Sequence, residues 1–268
     1  MTEDLDLTQF LTAGTPPLPP AAEQGWLEHD GAQIWYAVCG KGPAVVLLHG
    51  GLGHSGNWSY LASMLVEAGY RVVLIDSRGH GRSTRDEQPY SYERMAADVL
   101  AVMDNIALKK ASFIGWSDGA CTALIFAAHH PERTAGVFFF ACNMDPTGTK
   151  EFHATPEIER CFSRHRQDYL ALSATPDCFE DFVAAVSKMM SSQPNYSPND
   201  LQKIEVPVEV VLGEHDEFIK PEHATYLAAT LPNATLTMIP GVSHFAPLQK
   251  PEVFNAQVLK FLQKYSAN

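Results

Sequence analysis

Ala111-Ser112-Phe113-Ile114-Gly115-Trp116-Ser117-Asp118-Gly119-Ala120 decides how the rest of the chain is read. Phe113 and Ile114 close a short apolar run of the kind that forms a buried strand. Gly115, Ser117 and Gly119 then complete a G-x-S-x-G pattern, and the stretch from Ala120 to Ala128 is almost wholly apolar, which suits a buried helix. Strand, sharp turn and helix in succession put the serine on a tightly bent backbone, with its hydroxyl exposed at the top of a sheet. A Cβ at either flanking glycine would meet neighbouring backbone, which accounts for the small residues there.

Outward from this turn, apolar runs alternate with helical spacing. Upstream, 26–28 and 32–39 read as two strands joined at Asp30-Gly31, and 44–48 is a continuous apolar run expected to be buried on both faces. It ends in His49-Gly50-Gly51-Leu52-Gly53, where glycines let backbone N–H groups point into a site. A helix is expected over 57–68, a strand over 71–75, and a helix from about 91 to 106. Between them lies the loop Asp76-Ser77-Arg78-Gly79-His80-Gly81-Arg82-Ser83, whose Asp76 and Arg78 are expected to pin it by charge-assisted hydrogen bonds. Downstream, 136–141 is a further strand, and the alternation resumes with strands at 206–212 and 234–239 and helices at 221–230 and 251–264. The interval has helical spacing and no convincing strand. Its apolar positions include Phe162, Phe179, Met189 and Met190, expected to form a core of their own more than a substrate wall. The expected fold is α/β: a mostly parallel eight-stranded sheet with helices on both faces. Residues 23–144 and 200–268 would form the core, 145–199 a helical cap over the strand ends, and 1–22, with Pro16-Pro17-Leu18-Pro19-Pro20, a loose extended arm.

Composition narrows the function. The chain has 268 residues, 46% of them hydrophobic, enough for one large core. Lys plus Arg is 19 against 31 for Asp plus Glu, a formal charge of -12, which argues against nucleic acid and anionic membranes as partners. The densest basic cluster, Arg160, Arg164, His165 and Arg166, is surrounded by acidic residues. Five cysteines at irregular spacing, with no C-x-x-C, fit neither a disulfide framework nor a zinc site and favour a reducing, cytoplasmic setting. No signal peptide, membrane span or H-E-x-x-H spacing is evident, so no metal and no cofactor are expected. A homodimer is left open.

Three residues follow buried strands in the order Ser117, Asp216, His244. A serine hydroxyl is a weak nucleophile until an imidazole takes its proton, and a carboxylate fixes the imidazole's tautomer and stabilises its charged form. The backbone N–H groups of Gly51 and Asp118 are the candidate oxyanion donors. Asp145 and Glu214 are rival acids, and Asp216 could instead cap the turn after it. His54, His80 and His215 read as surface or loop residues. The Asp118 side chain either faces the pocket, where it would attract a cationic group, or, the favoured reading, points away into a local salt bridge.

The H-G-G loop at His49, the D-S-R-G-H-G-R-S loop at Asp76, the G-W-S-D-G turn, V-P-V-E-V-V-L-G-E-H-D at Val206 and G-V-S-H-F at Gly241 together resemble the α/β-hydrolase fold family over roughly residues 26–264. Within it the chain looks like the capped esterases, enol-lactonases and valacyclovirase-like hydrolases. Aspartate more rarely follows the nucleophile in the family, and Ser117 argues against the dehalogenase and epoxide hydrolase branches. The resemblance implies a small-molecule ester or lactone substrate cleaved through an acyl-enzyme. Carbon–carbon bond hydrolysis and acyl transfer are the alternatives on the same triad, and a non-enzymatic ligand receptor is the alternative outside enzymes.

Overall fold

The continuous apolar runs are strands buried on both faces in the computed structural model, which describes residues 3–265. In chain order the elements are α1 (Thr8–Ala13), β1 (Ala21–His29), β2 (Ala32–Gly40), β3 (Ala44–Leu48), α2 (Ser59–Glu67), β4 (Arg71–Ile75), α3 (Tyr92–Asn105), β5 (Ala111–Trp116) and α4 (Asp118–His129). There follow β6 (Thr134–Phe140), α5 (Pro156–Leu172), α6 (Phe179–Ser192), α7 (Pro198–Leu201), β7 (Val208–Gly213), α8 (Pro221–Thr230), β8 (Ala234–Ile239), α9 (Ala246–Gln249) and α10 (Pro251–Tyr265). The eight strands form one sheet in the order β1-β2-β4-β3-β5-β6-β7-β8. Only the β1–β2 and β2–β4 pairs are antiparallel.

This order places the site. The chain leaves β3 for β4 on one side, then crosses back to β5 on the other, so the segments after β3 and β5 diverge and leave a crevice at their C-terminal ends. The register holds those ends level: Leu48 lies opposite Gly115, Trp116 opposite Phe140, and Phe140 opposite Val211. Helices cover both faces, as expected: α4 runs back along β5, β6 and β3 with α3 beside it, while α10 packs on β5 and β6 alongside α2. Phe138, Phe140, Phe254 and Phe261 interlock at the α10 contact. Between β6 and β7 the regular elements among the described residues are α5, α6, α7 and short helical turns joined by irregular stretches, and Thr149 makes an isolated bridge to Ile219 beyond β7. No helix among the described residues is long and apolar enough to cross a membrane.

The N-terminus differs from the loose extended arm expected over 1–22, of which residues 1 and 2 lie outside the described part. Residues 8–13 are helical, and Leu7 and Phe10 are buried. Asp4 caps this helix from outside, accepting from the Gln9 and Phe10 N–H groups at 3.1 and 2.7 Å. Tertiary contacts hold the segment to the core and to α5: Gln249 Nε2 donates to Leu5 O, Arg160 Nη1 to Asp6 O, and Thr15 Oγ1 to Gly56 O, each at 2.7 Å. The proline run stays irregular, and β1 begins at Ala21, five residues before the strand read from the sequence. As an edge strand with mostly exposed side chains, its early part carries no apolar pattern to read.

Candidate active site

Ser117 has φ 53° and ψ −123°, a strained geometry for a residue with a Cβ. It is held there by its N–H donating to Phe140 O at 2.9 Å and its carbonyl accepting from Ala120 N and Cys121 N. Only glycine fits beside it. A Cβ on Gly119 would run into Leu48 O, and one on Gly115 into the Ala120 backbone.

Asp216 follows β7 and divides its two oxygens. Oδ1 accepts from Phe218 N and Ile219 N at 2.9 and 2.8 Å, which is the capping role. Oδ2 lies 2.9 Å from His244 Nδ1. Both residues are buried, and the imidazole packs against the Phe218 ring with centroids 4.6 Å apart and planes at 73°. A carboxylate on Nδ1 leaves Nε2 as the free nitrogen of the ring. Ser117, His244, Gly51 and Asp118 all line one cavity of about 660 Å³, whose wall includes Phe162, Phe179 and Met190 of α5 and α6. Met190 thus departs from the core role expected of it, while Met189 is buried at 2% exposure. The Ser117 hydroxyl makes no hydrogen bond to His244 among the described residues. Such contacts commonly tighten only with substrate in place.

Neither the Gly51 nor the Asp118 backbone N–H has a hydrogen-bond partner among the described residues. The loop bearing Gly51 is fixed from below. His49 Nε2 accepts from Ser77 N at 3.0 Å, so its Nδ1–H donates to Gly50 O at 2.8 Å. Burial pushes the His49 pKa down to about 4, keeping the ring neutral. Asp76 accepts from Ser55 N and Arg82 N, and Arg78 forms a bidentate pair with Asp98, the pinning roles expected of them. His80 sits on a loop, as expected, and is buried at 1% exposure against Phe182 because the helical segment folds over it. His54 is nearly buried as well, capping the turn at 55–58 and facing Asp168 at 3.3 Å, whereas His215 is on the surface. The rival acids are engaged elsewhere: Asp145 caps Thr147, and Glu214 accepts from Gly241 N at 2.8 Å.

A model of the α/β-hydrolase fold matches residues 43–178, half of the chain. The chain belongs to the α/β-hydrolase fold family. Among similar members, a 2-hydroxy-6-oxo-6-phenylhexa-2,4-dienoate hydrolase of Burkholderia cepacia is 30% identical over 83% of this chain and 88% of its own. The serine hydrolase BPHL of Mus musculus is 26% identical over 87% and 84%. The solved structure described as Est816, an N-acyl homoserine lactone degrading enzyme, superposes with a TM-score of 0.68 at 28% identity, covering 88% of this chain and all of that one.

Two features of this hydrolase differ from the sequence reading or escaped it. The Asp118 carboxyl forms no ion pair among the described residues, contrary to the salt bridge favoured above. It is buried, with Oδ1 accepting from Tyr92 OH at 2.8 Å and Oδ2 unpartnered, and burial pushes its pKa up to about 6. Glu217 was not singled out, yet its Oε2 accepts the His244 backbone N–H at 2.9 Å. Adjacent carboxylates therefore hold one histidine, Asp216 by the ring and Glu217 by the main chain. The pair in His215-Asp216-Glu217 was the available signal.

Proposed function

We propose that this protein is a serine hydrolase of small to medium carboxylic esters or lactones, working in the cytoplasm without a cofactor. Ser117 attacks the carbonyl carbon. His244 Nε2 takes the hydroxyl proton and passes it to the leaving oxygen, while Asp216 holds the ring and stabilises its charged form. The Gly51 and Asp118 N–H groups receive the oxyanion. Water, activated by the same imidazole, then cleaves the acyl-enzyme. Residues 145–199 act as a cap whose apolar side chains take the hydrophobic part of the substrate.

The observation that carries this reading is that Ser117, on its strained turn, and His244, held by Asp216, face one cavity beside two unspent N–H donors. Carbon–carbon bond hydrolysis is the second reading. The Burkholderia relative's substrate, by its name, carries a ketone and no ester, so its hydrolysis must break a carbon–carbon bond. The test is turnover of p-nitrophenyl esters by wild type and Ser117→Ala. The variant should lose activity by about a thousandfold or more. Wild-type rates in the variant would remove the mechanism.

A further inference from the structure

A line of aromatic rings runs along the cavity wall outward from the triad. Phe218 packs on the His244 ring with centroids 4.6 Å apart, and Phe152 lies nearly parallel to Phe218, at 6.2 Å and 21°. Phe245 closes the inner end, edge-on to Phe218 and to Trp116 at 6.2 and 6.3 Å. The outer end is open, since Phe152 is 59% exposed although it lines the cavity. Phe162 and Met190, at 38% and 40%, line the same cavity, so exposed apolar surface gathers at its wall, as it does at ligand-binding grooves.

Backbone pairing fixes these rings. Lys150 N donates to Phe218 O at 2.7 Å, Lys220 N to Gly148 O at 2.9 Å, and Thr149 bridges Ile219, so residues 148–150 run antiparallel beside 218–220. The second stretch is itself anchored by Asp216 Oδ1, which accepts from Phe218 N and Ile219 N. One carboxylate thus sets both the His244 ring and the backbone that carries Phe218. The chemistry gives this side of the cavity its role. His244 protonates the leaving oxygen, so the alcohol part of an ester starts beside the imidazole, and the acyl part leaves the tetrahedral carbon in another direction. Polar side chains of the same stretch are engaged: Thr149 Oγ1 donates to Pro146 O at 3.1 Å, and Lys150, outside the cavity wall, to Asp216 O at 2.6 Å. What meets the leaving group is therefore aromatic. A planar ring can lie against Phe152 or edge-on to Phe218, the arrangements aromatic pairs prefer, and would cover the exposed Phe152 side chain.

Building on the hydrolase reading above, we infer that Phe218 and Phe152 form the leaving-group subsite and select esters of arylmethyl alcohols. The test measures kcat/KM for benzyl acetate, for its saturated counterpart cyclohexylmethyl acetate, and for methyl phenylacetate, the isomer of benzyl acetate with the ring on the acyl side. In Phe152→Leu the benzyl-to-cyclohexylmethyl ratio should fall by about threefold or more, and benzyl acetate should lose more than methyl phenylacetate. Phe152→Tyr, which keeps the ring, should hold the wild-type ratio. Phe152 is largely exposed, so the core is untouched, and each ratio is read within one preparation, so the folded fraction does not enter. Intrinsic ester reactivity cancels when a ratio is compared between variants. A purely structural role would lower all the esters together. An unchanged benzyl-to-cyclohexylmethyl ratio in Phe152→Leu, or a loss as large for methyl phenylacetate as for benzyl acetate, would overturn the subsite while the hydrolase reading stands. Turnover of p-nitrophenyl esters with none of benzyl acetate would do the same. Turnover of no ester at all would remove both.

Discussion

Ser117, Asp216 and His244 were legible because each ends an apolar run, and the fold brings such run ends to one edge. Their partners were not legible in the same way. Tyr92 reaches Asp118, and His165 reaches the cavity, through tertiary contacts that no local spacing records. Glu217 is the most consequential of these residues for rate. Asp216, Glu217 and Asp118 place negative charge around His244, and the Lys150 ammonium donates to Asp216 O at 2.6 Å. Glu217→Gln keeps an acceptor for the His244 N–H but removes a charge. The imidazolium formed during the reaction loses stabilisation, so the kcat/KM profile should drop severalfold across its plateau. Glu217→Ala also loses the hydrogen bond and should lower kcat about tenfold with a smaller change in KM. Unaltered profiles in both variants would show that Glu217 does not position the histidine.

The strands and longer helices were read within a few residues because burial on both faces leaves an unbroken apolar signature. α1 was missed for the opposite reason. Six residues form too short a helix to persist alone, and its sequence carries only one buried side chain, Phe10. The helix exists because α5 lies under it. The Phe10 ring meets His165 edge-on at 6.1 Å, and the Arg164 guanidinium lies against Gly14. Phe10→Ala should therefore lower stability by about 3 kcal/mol, read as a drop in Tm, and raise KM because His165 forms part of the cavity wall. An unchanged Tm would mean the N-terminal segment adds nothing to the fold.

Across the whole molecule, buried histidines set the acid limit. Burial pushes His49 to about 4 and both His80 and His165 to about 3. Below the ordinary value of about 6.5 the unfolded chain takes up protons at these rings while the folded chain does not, so stability falls as pH drops toward 4. Each such proton contributes a slope of about 1.4 kcal/mol per pH unit. Asp118 works in the other direction: raised to about 6, it binds a proton in the folded state first, offsetting one ring between about 6 and 3.8. Below that, Asp76 and Asp168, both held under the usual carboxylate range, add to the loss. Tm should fall steadily from pH 6.5 to 4.5, and a flat profile would contradict the buried, neutral rings. The central claim concerns Ser117 as nucleophile, with His244 as its base. Intact-protein mass after brief fluorophosphonate treatment, with peptide mapping, tests it most directly. The account predicts one adduct, on Ser117, formed far more slowly in His244→Ala. A wild-type protein that hydrolyses esters yet stays unlabelled, or carries the label elsewhere, would contradict it.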